Sequence, residues 1–266
     1  TGAYRPAGGR EKNPALLRVD KVMDLDPEQA RQRPHFDDLV PVHPHERIDL
    51  TGAAADDATV RTIDVLAPIG LGQRGLIVAP ARTGATTVLS RLAQAIEVAR
   101  PEAHVILLLI DERPEEVTGL GELTNGEVIA SGFDRPPDEH THMVELTLER
   151  AKRLVELGKD VVVLLDGVTR LVRAYSAAGQ PTGRTLPGGI DAAALFPPKR
   201  FLGAARSLRG NGSLTILATL RSDTASPADE LVWAEFAGTA NMEVHLNRLA
   251  AQWQVFPALD VMHTAT

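Results

Sequence analysis

Residues 75–87 read GLIVAPARTGATT, and this stretch decides the fold. Gly75–Ala79 is an uninterrupted aliphatic run, the mark of a strand covered on both faces. Pro80–Gly84 interrupts it as a loop. From Thr86 to Glu97, apolar side chains recur at Val88, Leu89, Leu92, Ala93 and Ile96, a helical stripe. Strand, glycine-bearing loop and helix, in that order, is the setting a phosphate-binding P-loop requires. Gly84 frees the backbone to wrap an anion, and the helix start offers unpaired N–H groups and the positive end of its dipole. Thr86 stands where a P-loop hydroxyl holds Mg²⁺. The lysine of that motif is absent, because Ala85 precedes Thr86. Taken alone, the segment reads better as an ordinary strand–loop–helix turn.

Further along the chain the same grammar repeats. Val105–Ile110, Asp160–Leu165 and Leu214–Thr219 are buried-strand runs. Thr141–Leu157 is an amphipathic helix with Val144, Leu148, Ala151 and Val155 on one face. Aliphatic strands separated by helices indicate an α/β fold around a mostly parallel sheet, whose ligands bind at the carboxyl ends of the strands. Two acidic positions sit at such ends. Glu112, in DERPEE (111–116), follows the second strand and is placed to polarise a water, although a solvated acidic turn reads the same way. Asp166 ends the third strand in a Walker-B arrangement able to hold Mg²⁺; a helix-capping aspartate is the bland equivalent. P-loop, glutamate after the second strand and aspartate after the third together describe a RecA-like P-loop NTPase core.

The remaining segments are organised more loosely. Residues 1–14 read as a loop and Ala15–Met23 as a strand. Asp24–His45 is a polar connector with one turn of helix at Pro27–Arg31, and Asp56–Asp57 marks a turn. Ala177–Ile190 and Ser222–Glu230 are Gly/Pro-rich loops of the kind that carry function.

Composition limits the choices. The chain has 266 residues, 44% hydrophobic and 24% charged, enough for a substantial core. Aromatics are 4%, so that core is aliphatic. The absence of cysteine excludes disulfides, thiol catalysis and cysteine-ligated zinc. A net charge of −7 excludes a uniformly basic nucleic-acid coat but leaves room for a local basic channel. The apolar runs are far shorter than the ~20 residues of a membrane span, and no signal peptide is expected. A first residue Thr1 suggests a fragment or trimmed chain. The pairs His43/His45 and His140/His142 lack a third ligand at zinc-like spacing, and Trp233 and Trp253 read as packing residues.

Longer segments extend the picture: LAPIGLGQRGLIVAP (66–80), LLLIDERPEEVT (107–118), KRLVELGKDVVVLLDGVTRLVRAY (152–175), the glycine pair with DAAAL (188–195), PKRFLGAAR (198–206), GSLTILAT (212–219), EFAGTANMEVHLNR (235–248) and VFPALD (255–260). In these the chain resembles the bacterial transcription termination factor Rho family over nearly its full length. The resemblance implies a homohexameric, RNA-dependent ATPase that pulls single-stranded RNA through its ring and acts on the RNA polymerase complex. It implies that residues 1–23 end an OB-type RNA-binding domain, 24–60 form a connector, and 61–266 cover most of the ATPase domain, with its last helices missing.

Residue by residue, the resemblance assigns catalysis to Glu112, Arg113 and Arg170. Nucleotide binding falls to Arg82, Thr83, Gly84, Ala85, Thr86, Thr87 and the adenine-stacking Phe256. Mg²⁺ falls to Thr86 and Asp166, RNA contact to Arg184, Gly188 and Gly189, and the subunit interface to Arg248 and His263. Three positions depart from the pattern. Ala85 replaces the P-loop lysine, His263 stands where the family has its arginine finger, and Pro227 occupies a lower-loop position that commonly carries lysine. An arginine finger is worth roughly 10³–10⁵ in rate, and one preorganised charge-stabilising donor about 10²–10³. Weak or absent turnover is therefore expected. Arg82 is placed to restore part of the lost charge, as a fork rather than a point charge. The alternative expectation is a catalytically impaired Rho paralogue that binds nucleotide or RNA weakly and serves as a regulatory or structural ring subunit.

Overall fold

The computed structural model describes residues 1–8, 13–23, 25–52 and 56–266, with the side chain of Asn211 excepted. Parts of the N-terminal loop and of the connector read from the sequence, at residues 9–12, 24 and 53–55, lie outside the described residues. The chain divides into two compact units, Thr1–Leu39 and Val40–Thr266.

In the first unit β1 (Gly2–Arg5) pairs antiparallel with β2 (Ala15–Val19), Gly2 opposite Val19. The second strand is shorter than the 15–23 expected, because an isolated bridge between Val22 and Leu25 turns the chain beyond it. The short helix α1 (Pro27–Arg31) follows as expected, capped by Asp26, whose carboxylate accepts from Glu28 N–H.

The second unit opens with β3 (Pro41–Val42) and α2 (Ala58–Leu66), the latter N-capped by Asp57 through Thr59 and Val60 N–H. The elements then alternate: β4 (Arg74–Ala79), α3 (Ala85–Ala99), β5 (His104–Glu112), α4 (Pro114–Leu123), β6 (Glu127–Gly132), α5 (Pro137–Glu156), β7 (Val161–Asp166), α6 (Val168–Ala178), α7 (Phe196–Gly203), β8 (Arg206–Leu208), β9 (Asn211–Arg221), α8 (Pro227–Phe236), β10 (Met242–His245) and α9 (Arg248–Gln252). Among the described residues these strands form one sheet, in the order β10-β4-β9-β7-β5-β6, all parallel. Strands β8 and β3 add an antiparallel margin next to β9.

The continuous aliphatic runs explain the layering. Ile77, Leu107, Leu109, Val162, Leu164 and Leu217 face one way and pack with Val88, Leu89, Leu92 and Ile96 of α3 and with Val60 and Ile63 of α2. Their strand neighbours Val78, Leu108, Val163 and Leu165 are as fully buried on the other face, where α5 and α6 pack.

Three stretches differ from the sequence expectation. Pro114–Glu116, read within an acidic turn, begin α4, with proline at the helix start where its missing N–H costs nothing. The 222–230 loop ends early for the same reason, since Pro227 opens α8. Trp253 does not pack: it caps the short α9 and is 74% exposed.

Candidate nucleotide site

The carboxyl ends of β4, β9 and β7 surround a cleft of about 480 Å³, with Arg113 from the end of β5 also lining it. Its floor is the 80–84 loop and the start of α3. Gly84 is the N-cap of α3 at φ +92°, with no side chain capping the helix. The first N–H groups of α3 therefore open towards the cleft without a side-chain acceptor, an arrangement suited to an anion. A left-handed φ is natural for Gly84, whereas Arg82 adopts +64° at the loop's tip.

Asp166 is the polar centre. It is 5% exposed. Thr86 Oγ1 donates to its Oδ2 at 2.7 Å, and Thr219 Oγ1 to its Oδ1 at 2.7 Å. The carboxylate thus bridges α3 and β9 from the end of β7.

Glu112 reaches the cleft indirectly. Asp111 takes φ +56°, and the pairing of β5 with β6 slips between Ile110 and Glu112. Such a bulge re-aims the side chain that follows. Glu112 turns inward, 7% exposed, and Arg170 of α6 donates to its Oε2. Arg113 N–H donates to Oε1 at 3.2 Å, and Arg170 also reaches Ile110 O at 3.3 Å. Burial pulls the Arg170 guanidinium down, but the negative charges of Asp166, Glu112 and Asp111 outweigh it and hold its pKa above the usual value.

The cleft brings together Arg82, Gly84, Ala85, Thr86, Thr87, Arg113, Asp166 and Arg170 from the sequence expectation. The Thr83 side chain is buried and donates to Pro80 O at 2.8 Å, so this residue offers the cleft no hydroxyl. Phe256, Arg184, Gly188, Gly189, Arg248 and His263 do not line it. Phe256 is 65% exposed. Arg248 Nε pairs with Asp223 Oδ2 at 2.9 Å, and His263 Nδ1 with Asp260 Oδ2 at 3.0 Å. Gly188 lies against α8, where a Cβ would stand 2.3 Å from Ala228 N. Thr169, Thr219 and Arg221 line the cleft and were not picked out from the sequence; their signal was position alone, at a strand's carboxyl end or just beyond it.

Among the described residues, no group of three or more His, Cys, Asp and Glu could hold a metal. His140 is a core residue, its Nδ1 2.7 Å from Ser131 Oγ. The Thr86 hydroxyl and Asp166 carboxylate are hard oxygen donors, the set that suits Mg²⁺ shared with phosphates.

Residues 59–266 match the ATP synthase alpha/beta family, nucleotide-binding domain. The chain belongs to that family. Within the ATP synthase alpha/beta family its RecA-like α/β fold is that of nucleotide-binding domains. It is 53% identical to the transcription termination factor Rho of Streptomyces lividans, over 100% of this chain and 38% of that protein. It is 48% identical to the transcription termination factor Rho of Bacillus subtilis strain 168, over 100% of this chain and 62% of that protein. The likeness to Rho read from the motifs is borne out, and the chain spans less than two thirds of the length of these relatives. A solved ATPase from the type III secretion system of pathogenic bacteria shares the fold, with a TM-score of 0.71 and 24% identity over 95% of this chain and 71% of that one.

Among the described residues, no helix is long and apolar enough to cross a membrane.

Proposed function

We propose that this chain is the ATPase core of a Rho-type, RNA-dependent translocase subunit acting in transcription termination in the cytoplasm. One observation carries the reading. A cleft floored by an uncapped helix start and walled by Thr86, Asp166 and arginines occurs in a chain that matches Rho relatives at 48% and 53% identity throughout.

In this reading ATP occupies the cleft, with its phosphates over the start of α3. Thr86 and Asp166 would hold Mg²⁺, which supplies charge neutralisation to the terminal phosphates. Glu112 orients the attacking water, and the Arg170 pair keeps its carboxylate aimed. Arg113 adds positive charge beside it. Phe256 stacks on the adenine, and Arg248 and His263 face the neighbouring subunit of a homohexamer. Residues 1–23 belong to an RNA-binding domain and 24–60 to its connector.

The same helix that reads the cleft reaches the loops. Arg170 lies one turn before Arg173 on α6, and Arg173 Nη2 pairs with Asp229 Oδ1 of α8 at 2.5 Å. Asp229 also accepts from Thr224 Oγ1 at 2.8 Å. Gly188 rests on the start of α8. A change at Glu112 is therefore one rigid helix away from both loops. That supports a motor in which Arg184, Gly188 and Gly189 contact single-stranded RNA while the assembly engages the RNA polymerase complex.

A second reading has its own observation. Ala85 lines the cleft where a P-loop lysine would stand, which favours slow turnover and a nucleotide-binding ring subunit. Phosphate release from ATP, with and without a pyrimidine-rich single-stranded RNA, separates the two. RNA-stimulated release that Glu112→Gln abolishes supports the motor; no release above background with RNA removes it.

A further inference from the structure

We infer that Arg221 supplies the phosphate-binding charge that the missing P-loop lysine would have given, so that the cation of this site has moved from the helix start to the neighbouring strand. The assignment rests on the nucleotide reading of the cleft and deepens it.

Arg221 is the last residue of β9 and the register partner of Ala79, the last residue of β4 before the phosphate loop. Ser222 N–H donates to Ala79 O at 3.1 Å, which fastens the two strand ends together. Arg221 N–H reaches Thr169 Oγ1 at 3.3 Å, which ties it to the start of α6. The backbone of Arg221 is thus held on both sides at the root of the loop.

Alternation along β9 gives the direction. Residues two apart share a face of the sheet. Thr219 uses that face to donate to Asp166 at 2.7 Å. Arg221 follows on the same face and lines the cleft with Ala85, Thr86 and Asp166. Arg221 and Ala85 therefore line one cleft, and a P-loop lysine at residue 85 is the one that reaches the terminal phosphates.

Charge completes the case. Among the described residues Arg221 is exposed and has no carboxylate within ion-pair distance, and the same holds for Arg82 and Arg113 in the same cleft. Many arginines elsewhere find acids, among them Arg47 with Asp64, Arg150 with Glu127, Arg173 with Asp229 and Arg248 with Asp223, while those that do not, such as Arg184 and Arg209, do not gather round a common cleft. Three unpaired guanidiniums around one cleft, in a chain of net charge −7, indicate an anionic occupant of several charges. Arg82 sits on the loop's tip at a left-handed φ, and Arg113 lies beyond the end of β5. Arg221 alone of the three is on a central strand between the loop and Asp166. A guanidinium there presents a fork to two phosphate oxygens, which a lysine at residue 85 would meet as a point charge.

The test is a titration of ATP with Mg²⁺ into the wild-type protein and four variants: Arg221→Ala, Arg221→Lys, Ala85→Lys, and Arg221→Ala combined with Ala85→Lys. Adenosine is titrated in parallel. Arg221→Ala is expected to weaken ATP binding by about 10- to 100-fold, the worth of one charge-assisted contact, and to leave adenosine binding unchanged. Arg221→Lys should retain more affinity than Arg221→Ala, and Ala85→Lys should restore most of the affinity lost by Arg221→Ala. Thermal unfolding of each variant confirms that the exposed site has been changed without loss of fold. Wild-type ATP affinity in Arg221→Ala, or no recovery on adding Ala85→Lys, overturns the assignment. A wild-type protein that binds neither ATP nor adenosine overturns the nucleotide reading beneath it, and the assignment falls with it.

Discussion

Arg170 grips Glu112 at the end of β5, with only 20% of the arginine side chain and 9% of the glutamate side chain exposed. The pair closes over the β5 bulge at Asp111 and fixes the direction of the carboxylate that we propose orients water. Removing a single partner leaves a shielded charge. Glu112→Ala is expected to cost about 2 kcal/mol, less than the ~3–5 of a fully buried pair because Arg170 keeps some solvent. Glu112→Ala with Arg170→Met should return part of that loss. Urea unfolding midpoints for the wild type and the two variants check this, and a double variant no more stable than Glu112→Ala would contradict it.

Asp166 presents a different situation, since both its oxygens accept hydroxyl hydrogens at 2.7 Å. Asp166→Ala orphans one buried donor, Thr219, and one half-buried donor, Thr86, and is expected to lower stability by about 1–3 kcal/mol. Asp166→Asn keeps the shape and loses the charge. Its ATP affinity should no longer respond to Mg²⁺. An unchanged response would take Asp166 out of the metal's neighbourhood.

Gly188 has φ +74°, and any side chain there meets the backbone of Ala228. Gly188→Ala is expected to lift the 179–190 loop from α8 at a cost of about 1–3 kcal/mol. Limited proteolysis should then cut near residue 188 faster than in the wild type. Gly183, whose Cβ would meet nothing within 4 Å, is the control, bearing only the strain of its own φ of +80°. Equal cutting in the two variants would show that the Ala228 contact holds nothing in place.

Acid sensitivity follows from Glu127. Burial raises its pKa, but hydrogen bonds from His104 and Arg150 outweigh it and leave the carboxyl below its ordinary 4.5. A depressed folded pKa gives stability that is complete above 4.5 and is lost as pH falls through the lower value. Unfolding free energy should therefore drop below pH 4.5, and Glu127→Gln should flatten that drop. A wild-type slope in the variant would place the acid response elsewhere.

The sequence exposed the parts of this molecule that obey simple periodicity. Continuous aliphatic runs such as Val161–Leu165 and the stripe from Val88 to Ile96 leave one physical option each, and β7 and α3 followed. Strand β6 (EVIASG) escaped because most of it is only partly buried and it carries neither alternation nor an aliphatic run. Strand β10 (MEVH) is four residues long. The 80–87 loop and Asp166 were legible as motifs, since each is set by its own strand and the residues that follow it. Arg221 and Thr219 were not, because their place at the cleft depends on the register of β9 between β4 and β7. Nor does any periodic pattern announce the left-handed turn at Asp111 that swings Glu112 inward.

The central claim is that this cleft takes a magnesium nucleotide despite Ala85. Calorimetric titration of ATP into the wild-type protein, with Mg²⁺ present and then chelated, tests it most directly. Saturable binding at one site per chain, weakened when Mg²⁺ is removed, is the expected result. Heats that do not saturate at millimolar ATP, or binding indifferent to Mg²⁺, would contradict it.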